Sequence, residues 1–127
     1  MIKSIFSIKK LVACSGLIST LMLSALPASA AQSKIPQREQ SYCQAILTGQ
    51  DSGARINLRS GPGTNFAQKG YGLVGDRVHI LRRVGGRAKD LAVVQNRRGD
   101  SWYRVGFPVS GARGWIHGDF LSPECYN

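Results

Sequence analysis

The chain has 127 residues and carries 17 lysines and arginines against 7 aspartates and glutamates, a net charge of +10. This length leaves room for one small domain and excludes several. The positive charge favours anionic partners, although it can also serve only to keep a small protein soluble.

The first thirty residues have the composition of a secretory signal peptide. Three lysines precede an apolar stretch at 11–26, and Ala28-Ser29-Ala30 then forms a small-residue cleavage site. The apolar stretch is shorter than the roughly 20 residues that span a bilayer, which favours cleavage after Ala30 over retention as a membrane anchor. We therefore expect a protein exported to the periplasm or the extracellular space, with no stable membrane span after cleavage.

Two cysteines, Cys43 and Cys125, remain after the predicted signal peptide. An exported chain enters an oxidising compartment, where two cysteines allow one intramolecular pairing. We therefore predict a Cys43–Cys125 disulfide that joins the two ends of the domain. The alternatives are two free thiols or a disulfide to another chain.

The rest of the chain divides into a polar segment and a series of short strands. Residues 31–41 lack periodicity and predict a flexible leader before a domain at 42–127. The predicted strands are 42–48, 55–59, 68–73, 76–84, 101–107 and 112–117, followed by a 3₁₀ turn at 119–121 that ends at 122–123. Frequent glycine and proline turns and the lack of a long helical pattern predict an all-β fold, a small and partly open barrel.

Residues 85–99 form a long connection between two of these strands. The apolar run inside it predicts that 91–95 pairs back on strand 76–84, which would give an extended hairpin. An ordinary surface loop is the alternative, because insertions in loops cost little entropy. We expect this connection and its base to be the most basic surface of the domain, through Arg82, Arg83, Arg87, Arg97 and Arg98.

Four short motifs occur in an order that resembles the bacterial Src homology 3 (SH3b) domain. They are INLRSGPGT at 56–64, GLVGDRV at 72–78, WYRV at 102–105 and GWIHGDFL at 114–121. The resemblance implies an SH3-like barrel of five to seven short antiparallel strands, acting as an exported binding module of the cell envelope. The chain departs from the family between Val84 and Trp102, where a typical domain has a turn of only a few residues.

Domains of this architecture bind extended peptides in shallow grooves lined by aromatic rings. The candidate ligand-binding residues are Asn57, Arg59, Tyr71, Trp102, Trp115 and Phe120. The competing interpretation is that most of these rings fill the small core, to which we assign Tyr103 and Phe107, and that Asn57 hydrogen-bonds its own loop. The expected ligand is peptidoglycan peptide or another envelope polyanion rather than nucleic acid. The alternative is a protein-interaction or inhibitory partner of another exported protein.

The sequence contains no pattern that predicts catalysis. A cysteine nucleophile would need a free thiol with a histidine base, and the cysteines are better explained as a disulfide. His79 and His117 have no acidic residue at metal-ligand spacing, and no glycine-rich loop has nucleotide-binding spacing. We therefore expect no catalytic residue, no metal and no cofactor, and the sequence predicts no particular oligomeric state.

Overall fold

The structure, a computed structural model, describes residues 32–126. The predicted signal peptide lies outside the described residues. Within residues 32–126 all regular structure is β apart from two 3₁₀ turns, Gln37–Glu39 and Gly118–Phe120, and no helix there is long and apolar enough to cross a membrane. The strands are β1 Gln40–Leu47, β2 Arg55–Arg59, β3 Gln68–Leu73, β4 Arg77–Leu81, β5 Val93–Gln95, β6 Ser101–Gly106, β7 Arg113–His117 and β8 Leu121–Cys125.

The eight antiparallel strands form one sheet that curls around a single apolar core. Seven strands follow the order β3-β2-β7-β6-β4-β1-β8, and β5 pairs with β6 outside this path. The core residues are Cys43, Ala45, Leu47, Ile56, Leu58, Val78, Ile80, Val105, Ile116 and Leu121. The all-β, barrel-like prediction is confirmed, with eight strands described rather than five to seven. Tyr103 and Phe107 pack against the core as partly buried residues, as predicted.

Most predicted strands agree with the structure, and the last strand was missed. β2 and β3 have the predicted bounds, and their pairing contains a register shift between Leu58 and Arg59. β4 ends at Leu81 instead of Val84. The sequence predicts that regular structure ends at 122–123. In the structure, β8 continues to Cys125 and pairs with β1. Proline is tolerated in β8 because this strand lies at an end of the sheet order, where no further partner needs its N–H.

The connection at 85–99 pairs mainly with β6. Val94 lies opposite Trp102 in the β5–β6 ladder. The prediction that 91–95 pairs back on strand 76–84 holds only for its first residues: Arg82 and Leu91 form an antiparallel bridge, with backbone hydrogen bonds donated by Arg83 to Asp90 and by Ala92 to Leu81. The tight turn at 96–100 joins β5 directly to β6, and so short a connection closes at low entropic cost.

The segment expected to be a flexible leader contains a buried anchor, so the structure differs from that expectation. Ile35 is 1% exposed. A Cβ atom at Gly106 would lie 2.7 Å from Ile35 Cδ1, which shows that the isoleucine packs directly on the backbone of β6. Glu39 adds an ion pair to Arg113, with 2.6 Å between Oε1 and Nε. We call residues 34–39 the N-terminal strap. The sequence does not predict it, because a single isoleucine in a polar segment shows no hydrophobic periodicity.

Both faces of β4 are consequently buried. Val78 and Ile80 point into the core, whereas Leu81 lies beside Ile35 against Gly106 on the opposite face. His79 is also on that opposite face and is 9% exposed. Burial disfavours the charged imidazolium, and desolvation therefore lowers the pKa of His79 below its ordinary value of 6.5.

The predicted disulfide is present and joins two neighbouring strands. Cys43 of β1 lies directly opposite Cys125 of β8, and their sulfur atoms are bonded. The two residues are 82 positions apart in the sequence. The bond therefore closes a loop that contains most of the described chain and fixes β8 to the sheet.

Candidate binding grooves

Strands β2, β7 and β6 present one outward face that carries most of the candidate residues. In the β6–β7 ladder Trp102 lies opposite His117, and Arg104 lies opposite Trp115. Residues two apart on a strand share a face, so both pairs lie on the same side of the sheet. Arg59 of β2 lies opposite Trp115 from the other side. We call this surface the binding face.

Two contiguous cavities of about 440 and 190 Å³ open on the binding face and share Thr64, Trp102 and His117. Together they form a groove between the turn at 62–65 and the turn at 96–100. We call it the Trp102 groove. Its polar, charged and aromatic lining consists of Arg55, Asn57, Arg59, Thr64, Asn65, Asn96, Arg98, Asp100, Trp102, His117 and Phe120.

The turn at 62–65 is shaped by the glycines that flank Pro62. A side chain at Gly61 would overlap the ring of Phe66, so only glycine allows the loop to fold back this closely. The Arg59 guanidinium then donates a hydrogen bond to the Phe66 carbonyl, with 3.0 Å between Nη1 and O. These contacts hold Thr64 at the side of the groove.

The opposite turn is organised by Asn96. Its side-chain oxygen accepts hydrogen bonds from the backbone N–H groups of Arg98 and Asp100, each at 2.9 Å. Its amide nitrogen donates to the Asp100 carboxylate, also at 2.9 Å. This last bond is the main reason why the pKa of Asp100 lies below its ordinary value; partial desolvation opposes the shift, and the nearby Arg98 reinforces it. The groove therefore contains a carboxylate that is ionised at neutral pH.

Two edge-to-face aromatic contacts place His117 at the centre of the groove. The imidazole meets the Trp102 ring edge-on, with centroids 5.1 Å apart, and lies 6.2 Å from the Phe120 ring. Its Nδ1 accepts a hydrogen bond from the Asp119 backbone N–H at 3.1 Å, so the proton of the neutral ring resides on Nε2. Nε2 faces Asp100, 3.6 Å from Oδ1.

Trp102 is buried beneath this groove although it is not part of the core. The side chain is 3% exposed. Its Nε1–H has no hydrogen-bond acceptor in the structure, and it is the only such buried side-chain atom within residues 32–126. A buried donor without an acceptor costs roughly 1–3 kcal/mol, so this atom marks a place where binding could recover free energy.

The structure brings together four of the six predicted ligand-binding residues. Asn57, Arg59, Trp102 and Phe120 all line the smaller cavity of the Trp102 groove. Only Phe120 among the aromatic ones is well exposed, at 43%. Trp115 is not part of this groove.

Tyr71 lies elsewhere. It is 49% exposed and lines a separate cavity of about 420 Å³ together with Phe107 and Val109. The Arg55 guanidinium carbon lies 4.4 Å from the centroid of the Tyr71 ring, a cation–π contact. The prediction that Tyr71 shares a groove with Trp102 was therefore wrong.

Trp115 belongs to another cavity, of about 240 Å³, which we call the Trp115 groove. The residues that line it are Arg82, Arg83, Val84, Ala92, Val93, Val94, Arg104 and Trp115. The predicted basic patch is thus divided between sites. Arg82 and Arg83 line the Trp115 groove, Arg98 lines the Trp102 groove, Arg87 pairs with Asp90 at 3.6 Å, and Arg97 is exposed on its turn.

Sequence reasoning missed several groove residues, and two of them had a usable signal. Arg104 is two residues from Trp102 on β6. Strand periodicity therefore predicts that both side chains lie on the same outward face. Asn96 stands before a glycine-containing turn, where asparagine side chains commonly cap the backbone. His117 had no such signal, because its role depends on contacts made by residues distant in sequence.

Within residues 32–126, no group of three histidine, cysteine, aspartate or glutamate side chains could hold a metal ion. His117 has two carboxylates at 3.6 Å, those of Asp100 and Asp119. Each of these contacts is an ion pair only when the imidazole is protonated. The groups that the Trp102 groove offers to a ligand are therefore hydrogen-bonding side chains and aromatic rings.

The family model described as bacterial SH3 domain matches residues 52–122. The matched segment begins just before β2 and extends into β8, so it includes every residue that lines the Trp102 groove and the Trp115 groove. No curated protein and no solved structure matches the chain.

Proposed function

The chain belongs to the bacterial SH3 domain family, and on this basis we propose that it is an exported protein that binds cell-wall peptide in the Trp102 groove without turnover. The family consists of binding modules that often occur in cell-wall-associated proteins. The signal-like N-terminus supports export, and the disulfide is consistent with an oxidising compartment. Peptidoglycan peptide is the ligand we favour among envelope components.

The observation that carries this proposal is the unpaired Nε1–H of Trp102 under an open groove. Native proteins rarely bury a donor without an acceptor, and exceptions often have a functional reason. A peptide carbonyl that enters the groove would supply the acceptor after a small shift of the side chains that cover the ring. The recovered hydrogen bond would contribute to affinity because the donor is already desolvated.

The remaining groove residues suit the other groups of a peptide. Asn57, Thr64 and Asn65 offer side-chain donors and acceptors for backbone amides. The Asp100 carboxylate can accept from an amide or an ammonium group. Arg98 pairs with Asp100, with 3.4 Å between Nη2 and Oδ2, so it would exchange this exposed ion pair for one with a ligand carboxylate. Phe120 provides the exposed apolar surface on which a peptide plane can stack.

We propose binding without catalytic turnover because the described residues of the groove include no activated nucleophile. Cys43 and Cys125 are bonded to each other, and His117 uses Nδ1 to accept the Asp119 N–H. Thr64 has no hydrogen bond to a base among the described residues. Non-covalent recognition is the chemistry that this arrangement supports best.

The test is co-sedimentation with purified peptidoglycan, comparing wild type with Phe120→Ala. We expect the substitution to weaken binding roughly fivefold to thirtyfold, because loss of an exposed aromatic anchor costs about 1–2 kcal/mol. Tyr126→Ala is the matched control, since Tyr126 is also an exposed aromatic residue, at 57%, but lines neither groove. Its binding should equal that of wild type.

Salt and the native envelope provide further controls. If Arg98 pairs with a ligand carboxylate, affinity should fall from low to high salt. Absence of sedimentation by the wild-type protein would overturn the proposal. Capture of a single exported protein from the native envelope, with no affinity for the wall, would instead assign the groove to a protein partner.

A further inference from the structure

The Trp115 groove lies one cross-strand pair away from the Trp102 groove on the binding face. Arg104 and Trp115 are directly opposite each other in the β6–β7 ladder, and Arg59 flanks Trp115 from β2. The backbone N–H of Arg104 donates to the Ala92 carbonyl, which continues this row towards the connection at 82–94. The groove is therefore built on paired strands and has a fixed geometry.

The charged residues that line the Trp115 groove are all arginines. Arg82, Arg83 and Arg104 contribute to its surface, and its lining contains no aspartate or glutamate. Arg82 is held in place because its Nε–H donates to the carbonyl of Arg38 in the N-terminal strap. Within residues 32–126, Arg83 and Arg104 form no ion pair. An anion that enters the groove would meet guanidinium groups not yet paired with carboxylates.

The carboxylate of Asp90 lies near this groove but is already engaged. Its pKa is lowered first by the hydrogen bond that the Arg87 backbone N–H donates at 2.8 Å, against partial desolvation, then by the Arg87 side chain, and last by the charge of Arg83. The Arg87 guanidinium also approaches Asp90 at 3.6 Å. Asp90 therefore leaves the charge of Arg83 largely available to a ligand.

An apolar surface lies between these cations. Val84 is 91% exposed and Val94 is 42% exposed, and both line the groove beside the half-buried Trp115 ring. A ligand that carried only anionic groups would leave these side chains in water. The surface instead matches a ligand with both carboxylates and apolar side chains.

We propose that the Trp115 groove is a second binding site, which takes an extended acidic peptide with apolar residues among its carboxylates. The carboxylates pair with Arg83 and Arg104, and the apolar side chains cover Val84 and the Trp115 ring. This site goes beyond the function proposed for the Trp102 groove and does not depend on it. Charge complementarity identifies the ligand class, because the lining is cationic and apolar with no acidic side chain.

The test measures binding of a fluorescent peptide, Glu-Glu-Leu-Leu-Glu-Glu, to the full chain by anisotropy. We expect the Arg83→Gln/Arg104→Gln double variant to bind about tenfold more weakly, because two partly exposed ion pairs are lost. The matched control is Lys89→Gln/Arg97→Gln, which removes the same charge from exposed positions outside both grooves. Its affinity should change by less than about twofold.

Two further comparisons separate specific recognition from general attraction between opposite charges. The peptide Gln-Gln-Leu-Leu-Gln-Gln should bind about tenfold more weakly than the glutamate peptide, for the same reason. Val84→Ser should weaken both peptides about threefold, whereas Val109→Ser, at a similarly exposed valine in another cavity, should weaken neither. The Val84 comparison also keeps the proposal testable if the arginine double variant fails to fold.

The outcomes distinguish this site from the Trp102 groove. Phe120→Ala should leave the affinity for the glutamate peptide unchanged. If this variant lost affinity for the peptide, the Trp115 groove would not be a separate site. Equal weakening by the two double variants, or equal affinity for the two peptides, would also overturn the proposal. So would arginine-dependent binding to phosphatidylglycerol vesicles without binding to the peptide. Failure to sediment with peptidoglycan would concern the Trp102 groove alone.

Discussion

Trp102 illustrates how one side chain can lie on an outward face and still be inaccessible. Strand alternation places it opposite the core, yet the turns at 62–65 and 96–100 and the His117 ring leave it 3% exposed. Replacing a ring this buried by alanine typically costs about 3–5 kcal/mol of stability. Loss of binding in such a variant would therefore report on folding, and Phe120 is the more informative position.

At the same scale, His79 should make the stability of the domain depend on pH. Its folded-state pKa is lowered by desolvation, so between that pKa and the ordinary value of 6.5 the unfolded chain binds more protons than the folded chain. The stabilising contribution of the neutral imidazole is complete above 6.5 and is lost as the pH falls below it. We expect the free energy of unfolding, measured by urea denaturation, to decrease between neutral pH and about pH 5.

The His79→Gln variant provides the control for this prediction. Glutamine does not titrate, so the variant should show a smaller decrease over the same interval, whatever its stability at neutral pH. The acidic residues Asp90 and Asp100 do not interfere, because their pKa values lie below 3.8 and their stabilising charge is lost only at lower pH. An identical decrease in both proteins would contradict the role assigned to His79.

Among the elements, the N-terminal strap has the clearest energetic role. Ile35 fills the space above Gly106, and the backbone N–H of Lys34 donates to the carbonyl of Pro108 at 2.7 Å. We expect Ile35→Ala to lower the free energy of unfolding by about 2–4 kcal/mol, since a fully buried isoleucine leaves a cavity when truncated. Chemical denaturation followed by tryptophan fluorescence measures this change.

Val109→Ala is the matched control for the strap. Val109 is 84% exposed, so its truncation should alter stability by less than about 0.5 kcal/mol. If Ile35→Ala proved as mild as this control, the strap would be a surface segment without an energetic role, as the sequence analysis expected of residues 31–41.

Strand β5 shows why elements within loops are the hardest to predict. The apolar residues 91–94 indicated a strand correctly, but their composition could not specify which neighbour they would join. The pairing of β5 with β6 depends on the Asn96 side chain, which organises the turn between these strands through three hydrogen bonds. β8 was missed for a related reason: its proline argues against a central strand but permits a strand at the end of the sheet.

For the molecule as a whole, the disulfide should contribute a large share of the stability. It closes a loop between positions 82 residues apart and restricts the unfolded chain accordingly. We expect the Cys43→Ala/Cys125→Ala variant to lose about 2–5 kcal/mol of unfolding free energy, a large part of what a small domain possesses. Urea denaturation of the variant and the oxidised wild type measures the difference.

Reduction of the wild type gives an independent check. Reduced wild type should unfold at nearly the same urea concentration as the alanine double variant, because both lack the constraint on the unfolded chain. Equal midpoints for oxidised and reduced wild type would show that the bond adds no stability.

The sequence predicted the all-β class, the disulfide and most strand bounds because these follow from local alternation, turn residues and cysteine count. The site was predicted less completely. Asn57, Arg59, Trp102 and Phe120 line one cavity, whereas Tyr71 and Trp115 line others. Alternation shows which face a side chain occupies, whereas the boundaries between cavities are set by loops distant in sequence.

The two ends of the binding face differ in chemical character, and this difference affects the direction in which a polymer would bind. The Trp102–His117 and Arg104–Trp115 pairs are neighbours on one face of the ladder, separated by about 7 Å along the strands. The first pair is accompanied by amides and a carboxylate, and the second by arginines and valines. A chain molecule long enough to reach both would encounter these two environments in one order when laid forwards and in the opposite order when reversed. The two orientations would therefore differ in energy, and the domain would prefer one direction of such a molecule over the other.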